Sequence, residues 1–466
     1  MNGFRGQVYS TSATAQLCEI MLRDSAHIQM FEAEWRNRKA ARSGGKLKEF
    51  VPLYDMDAAV NVCKQFVGCE YDRVYDIAEG IKIRFTDVGH LLGSASIEVW
   101  ATEKTENGDV TEKIVFSGDI GNINKPIIKD PKHVRDADYV VMESTYGNRS
   151  HGGTPNYVED LTDIFKRTFE RGGNVVIPSF AVGRTQELLY IIRKIKEDNL
   201  VGRDFDVYMD SPLAIEATNI FIKNVESCFD DDAVELVRKG INPLSFPGLK
   251  YATTGDESKQ INFDPNPKVI ISSSGMCEAG RIRHHLKHNL WRPECTIVFV
   301  GYQAVGTTGR IIVDGAEEIK LFGEPIQIKA EIVQLKGSSG HADKDGLLCW
   351  INAFDTKPKK VFVVHGEDSV CDEFTECLKE EYGYDAMAPY TGGSYDLIAD
   401  RVISEGVKER KTRRTTSTQR GKTVFDRLVA AGKRLMTVIT HNEGGTNKDL
   451  AKFTDQINAL CDKWDR

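Results

Sequence analysis

The stretch IKIRFTDVGHLLGS at residues 81–94 sets a pattern that recurs along the chain. Its first part, Ile81–Val88, is rich in β-branched and aromatic residues and reads as a buried strand. The strand runs straight into Gly89-His90-Leu91-Leu92-Gly93-Ser94, so a histidine flanked by glycines stands where it ends. Three further stretches are built the same way. Lys113–Ser117 runs into Gly118-Asp119-Ile120-Gly121, Tyr139–Met142 into Glu143-Ser144-Thr145-Tyr146, and Val361–Val364 into His365-Gly366-Glu367. In open α/β sheets ligands gather outside the strand ends, and glycines there let backbone and cofactor approach closely. Two histidines and an aspartate so placed suit zinc, as imidazole nitrogens plus a carboxylate able to bridge two ions. Each signal alone is weak, because a strand-end histidine is usually structural and a Gly-Asp pair is usually a turn.

Further strands are expected at Asn174–Ile177, Lys268–Ser272 and Thr296–Val300. Helical patterns separate them, at Ala13–Arg23, Val158–Arg171, Thr185–Glu197, Glu278–Asn289 and Asp368–Glu381. Strands alternating with helices give an α/β fold class. The 466 residues allow two to four domains, at roughly 150 residues each. With 41% hydrophobic and 28% charged residues the composition is that of a folded globular chain. No apolar run approaches the ~18 residues of a membrane span, and no export signal opens the sequence, so the expected location is cytoplasmic, with no membrane partner. Ten cysteines without a C-x-x-C pair are expected to be reduced. The net charge of −8 argues against generic polyanion binding but leaves room for a local basic groove.

Beyond about residue 400 the composition changes. Glu405–Lys422 holds seven basic residues around a Thr-Thr-Ser-Thr centre, which suggests a linker or exposed arm. Helices are expected around Val424–Ile439 and Lys448–Trp464, the first with an apolar face suited to docking on the main body or on a second subunit. A homodimer through these helices is one consequence.

Taken together and in order, SGDIGN at 117–122, ESTYGNR at 143–149, IPSFAVGRTQELL at 177–189, SSGMCEAGRIRHHL at 273–286, GYQAVGTTGR at 301–310, SSGHAD at 338–343 and VVHGE at 363–367 resemble the β-CASP branch of the metallo-β-lactamase superfamily, RNA-processing nucleases similar to the cleavage and polyadenylation endonuclease. The resemblance implies an αββα metallo-β-lactamase sandwich interrupted by an α/β β-CASP domain, with RNA in the cleft between them. It divides the chain into 1–150 (first part of the sandwich), 151–336 (β-CASP domain), 337–400 (second part, with the RNA-specificity motif) and 401–466 (basic linker and helical extension). It implies zinc, with His90 on one ion, Asp119 bridging and His365 on a second, and metal-activated water attack with His341, oriented by Glu143, as proton donor. It also places RNA or phosphate contacts at Arg184, Ser274, Arg281, His285, Gln303 and Arg310. For Arg184 the chemistry is plain, since a helix opening at Thr185 offers free N–H groups beside a guanidinium. Gly183 and Thr185 acting simply as a cap is the alternative. His284 and His288, four apart, share a helical face but lack a third ligand, so a polar face toward RNA or solvent is expected.

One family motif is missing. No His-x-His-x-Asp-His occurs; in family members it precedes the segment resembling Gly3–Tyr9. Two zinc ions need roughly seven or eight ligand contacts, about four each, more than His90, Asp119 and His365 supply. The first strands of the sandwich would be absent too, leaving an open edge and a partly uncovered core. The leading expectation is an active zinc-dependent ribonuclease shortened at its N-terminus. The alternatives are a catalytically inactive RNA-binding or assembly module, and one piece of a split enzyme. A metallo-hydrolase of small esters or lactams fits less well with the arginines near glycine-rich turns.

Overall fold

The computed structural model describes residues 3–42, 49–152, 156–335, 339–407 and 447–464, with a few helical positions between 432 and 440. It divides into two compact units, Met1–Pro389 with Ser394–Ser404, and Tyr390–Gly393 with Glu405–Arg466. The basic stretch from residue 408 onward and most of the helix expected at Val424–Ile439 lie outside the described residues. The last helix spans Asn447–Trp464.

Two sheets dominate the larger unit. The first has seven strands, in the spatial order Ala386–Met387, Lys360–Val364, Tyr139–Glu143, Gly108–Phe116, Ala95–Thr105, Ile81–Asp87, Val74–Ala78. The last four form an antiparallel meander, whereas Gly108–Phe116, Tyr139–Glu143 and Lys360–Val364 run parallel. One face packs Val115, Val140, Met142, Val361 and Val363 against Leu347, Trp350, Phe374 and Leu378 of the helices Lys344–Ile351 and Asp368–Glu380. The other face carries a cross-strand row, Phe85, Ile97, Phe116, Val141 and Phe362. Its Phe85 end packs in a cluster with Tyr71 and with Tyr9 and Cys69 of the parallel strand pair Val8–Thr11 and Phe66–Cys69, and at the other end the Phe362 ring lies 5.2 Å from the Tyr395 ring. Phe116, at the middle of the row, is 41% exposed.

The second sheet has six parallel strands, in the order Leu249–Tyr251, Asp206–Asp210, Lys268–Ser272, Val175–Pro178, Thr296–Phe299, Glu331–Gln334. Its inner strands are continuous apolar runs because both faces are covered. Val175 and Ile177 point into one cluster with Leu188, Leu189 and Ile192, while Val176 points into another with Leu286 and Ile297. This is an α/β chain in which a second α/β body interrupts the first sheet.

The expected strands appear within a residue or two at most ends. Two helices differ. Ala13–Arg23 is the start of a helix spanning Ser12–Arg42, whose later turns bury only Ala26 and Ala33. The helix expected from Glu278 starts at Ile282, because Gly280 takes a φ of +79° that breaks the turn.

Candidate active site

The strand ends of the seven-stranded sheet bring the site together. After Gly108–Phe116 the chain turns through Gly118 (φ +62°) to Asp119, and the amide of Gly121 donates to Val88 O at 2.8 Å. Gly121 has to be glycine here, since a Cβ would lie 2.0 Å from Gly89 O. Residues 340–342 then zip onto 120–122: Asn122 N donates to Gly340 O at 3.1 Å and Ala342 N to Ile120 O at 2.7 Å. His341 is thereby set beside Asp119, and His365 arrives at the end of Lys360–Val364 with a φ of +52°.

His90 Nε2 lies 3.8 Å from Asp119 Oδ2, and His365 Nε2 lies 3.3 Å from Asp119 Oδ1. The rings of His90 and His341 are 4.4 Å apart, those of His341 and His365 5.9 Å. Ligand atoms of His90, Asp119 and His341 all fall within 4.8 Å of one another. Among the described residues His90 Nδ1 is buried without a hydrogen-bond partner. An orphaned imidazole nitrogen beside a carboxylate and a second imidazole is a donor set that fits a zinc ion. Burial, then the neighbouring His341 and Lys125, lower the pKa of His90 to about 4, which keeps its ring neutral.

Glu143 fixes His341 from behind. One oxygen accepts the Ile120 amide, and the other accepts Thr145 Oγ1 at 2.6 Å and His341 Nδ1 at 3.0 Å. A carboxylate only accepts, so Nδ1 carries the proton and Nε2 is the working atom of the ring. Burial opposes charge on His341, but Glu143's hydrogen bond and charge, with Asp119, outweigh it and raise its pKa above the ordinary value. His151, which sequence reasoning passed over, supports the same loop through Nε2 to His341 O at 3.0 Å.

Of the residues expected to contact RNA, His285 and Gln303 are buried, whereas Arg184, Ser274, Arg281 and Arg310 are partly exposed. Arg184 opens the helix Arg184–Glu197, its Nη1 2.6 Å from Glu187 Oε2. Ser274, partly exposed, bonds Ala279 O at 3.3 Å. His285 is fully buried, held by Asp210 Oδ2 at 2.6 Å and Asn262 Oδ1 at 3.0 Å, so both its ring nitrogens are engaged inside the fold. Gln303, 3% exposed, spends its amide on Gly275 O and Gly301 O. Arg281 is turned inward onto Asp210 Oδ1 at 2.7 Å and the carbonyls of Ala252 and Thr253. Arg310 pairs with both oxygens of Asp314, at 2.8 and 2.9 Å. His284 and His288 stay at the surface, where His284 stacks on Phe322 at 4.4 Å.

Comparison with known proteins follows this geometry. The β-CASP domain family matches residues 185–312, and the Zn-dependent metallo-hydrolase RNA specificity domain matches 325–389. Ribonuclease TTHA0252 of Thermus thermophilus is 32% identical over 366 residues, covering 78% of this chain and 76% of that one. Transcription termination factor FttA of Methanosarcina mazei is 31% identical over 396 residues, covering 83% of this chain and 58% of that protein. An RNase J-like protein of Methanocaldococcus jannaschii is 35% identical over 295 residues, 62% and 65% of the two chains. The chain thus spans a little over half of the FttA relative. It belongs to the β-CASP branch of the metallo-β-lactamase-fold hydrolases, a family of RNA nucleases.

Proposed function

We propose that the chain hydrolyses RNA phosphodiester bonds with zinc, in RNA processing or decay. The observation that carries this reading is the convergence of His90, Asp119 and His341 with Glu143 behind His341. By the family resemblance His90 is assigned to one ion, Asp119, whose two oxygens face His90 and His365, to bridging, and His365 to a second ion. Among the described residues these donors do not reach the roughly seven or eight contacts of a two-ion site, so the site they form is incomplete for two ions. When bound, zinc supplies Lewis acidity to a phosphoryl oxygen and acidifies water toward a pKa of ~7. His341 holds a proton at Nε2 for the leaving oxygen, and Glu143 keeps that ring oriented as the proton departs. The relatives named for ribonuclease activity support RNA as substrate. All ten cysteines are free, which supports a reducing, cytoplasmic setting.

The sparse donor set also favours a second reading, an RNA-binding module without turnover. Hydrolysis assays with RNA, single-stranded DNA and a lactam in added zinc separate the possibilities. RNA cleavage that disappears in Asp119→Ala supports the nuclease. Salt-dependent RNA binding without cleavage supports the module, and lactam hydrolysis alone overturns both.

A further inference from the structure

Lys125 is a buried lysine that the chemistry above does not use. Its side chain is 11% exposed, and its ammonium donates to His90 O at 3.1 Å while lying 3.1 Å from Glu187 Oε1. Asn124, with a φ of +56° and its amide on Asp130 Oδ1 at 2.7 Å, turns the chain so that the next side chain points inward. Glu187 sits one turn into the helix Arg184–Glu197, is 9% exposed, and gives its second oxygen to Arg184. One carboxylate thus serves two cations from different parts of the fold. The same two segments touch again at Gly183, where a Cβ would lie 2.5 Å from Leu91 Cδ2.

Withdrawing such a pair from water is costly before attraction repays it, and an apolar pair of similar size would hold the segments together as well. What the ionic pair adds is direction. It ties the carbonyl of a candidate metal ligand to the helix turn that carries a candidate phosphate-binding arginine.

We propose that Lys125 and Glu187 form an internal strut that registers the His90 loop against the Arg184 helix end, so that divalent metal at His90 and an RNA phosphate at Arg184 strengthen each other's binding. The strut rests on the nuclease reading for the identity of its two ligands. Lys125 and Glu187 are positioning residues, because neither needs to touch metal or RNA. Ordering either end of the strut lowers the cost of ordering the other, and the coupling is reciprocal.

The test uses cobalt(II) as the metal, followed by its visible absorption, and a single-stranded phosphorothioate RNA oligonucleotide, both with the full chain. In the parent protein the oligonucleotide is expected to tighten cobalt binding about tenfold, within the usual range of such coupling. In Lys125→Met the coupling is expected to fall below about twofold while oligonucleotide affinity alone stays within about threefold, since Arg184 is intact. Lys125→Arg is expected to restore it, and Glu187→Gln to lose it. Thermal melting confirms that each variant folds, and coupling is a readout that a merely structural residue would leave unchanged. Full coupling in Lys125→Met overturns the strut, as does a parent that binds both ligands without coupling. A parent that binds neither overturns the nuclease reading together with the strut.

Discussion

The Nε2 of His285 lies 2.6 Å from Oδ2 of Asp210, and both side chains are shut off from solvent. Burial works against the charge on Asp210, but hydrogen bonds from His285, Ser258 and Arg281 outweigh it and hold its carboxyl below the ordinary range. His285→Ala therefore removes the partner of a buried ion. It is expected to cost about 3–5 kcal/mol of stability, measured by urea unfolding, and to leave RNA affinity per folded molecule within twofold. A stable variant with weakened RNA binding would return His285 to the RNA surface.

Gly121→Ala touches no candidate ligand, yet its Cβ would meet Gly89 O at 2.0 Å and His90 N at 2.7 Å. Both are backbone atoms, so the His90 loop has to move. Zinc affinity measured by calorimetry is expected to drop at least tenfold, with a stability loss of about 1–3 kcal/mol. Unchanged zinc affinity would mean that the loop adapts without disturbing the ring.

Asp87 offers a pH test at a buried carboxyl that is not itself a candidate ligand. Burial, opposed chiefly by the Gly89 amide, pushes its carboxyl up to about 6, against about 4 in an unfolded chain. The native state prefers the protonated form, so the stability this group contributes is complete below about pH 4 and is lost as pH rises through about 6. Asp87→Asn mimics the protonated form. The variant is expected to match the parent near pH 4 and to exceed it by up to about 3 kcal/mol at pH 7.5 in denaturant titrations. A constant offset between the two pH values would exclude the linkage.

Cys277 is fully buried, and burial pushes its thiol up to about 12. Cys349 and Cys461 are exposed. Iodoacetamide at pH 7.5, followed by peptide mass mapping, is expected to label those two first and to spare Cys277 until the protein unfolds. Early labelling of Cys277 would show that the 273–281 loop opens.

What could be read from sequence follows from how local the cause is. Tyr139–Met142 and Val361–Val364 are visible as strands because each is a short apolar run, and His90, Asp119 and His365 are visible because glycine-flanked polar residues end such runs. Ala95–Thr105 is not, since Glu98 stands in its centre. That carboxylate is tolerated because Arg84 and Lys113, on the strands to either side, pair with it at 2.6 and 2.8 Å. The same applies to Asp210, Lys125 and Glu187, whose partners come from distant parts of the chain. Arg281, His285 and Gln303 carry the right chemistry for RNA, and only packing reveals that their polar atoms are spent inside.

Glu143 and His341, the candidate proton donor it orients, lie 198 residues apart, and the whole six-stranded body is spelled out between them. On the ribosome that separation amounts to roughly 10–40 s of synthesis, at 5–20 residues per second. Throughout that interval the inserted body can fold on its own parallel strands, while the first sheet waits for Lys360–Val364 to dock on Tyr139–Glu143. A nascent chain therefore cannot assemble the candidate site until His341 and Lys360–Val364 have been synthesised, well after the inserted body is complete.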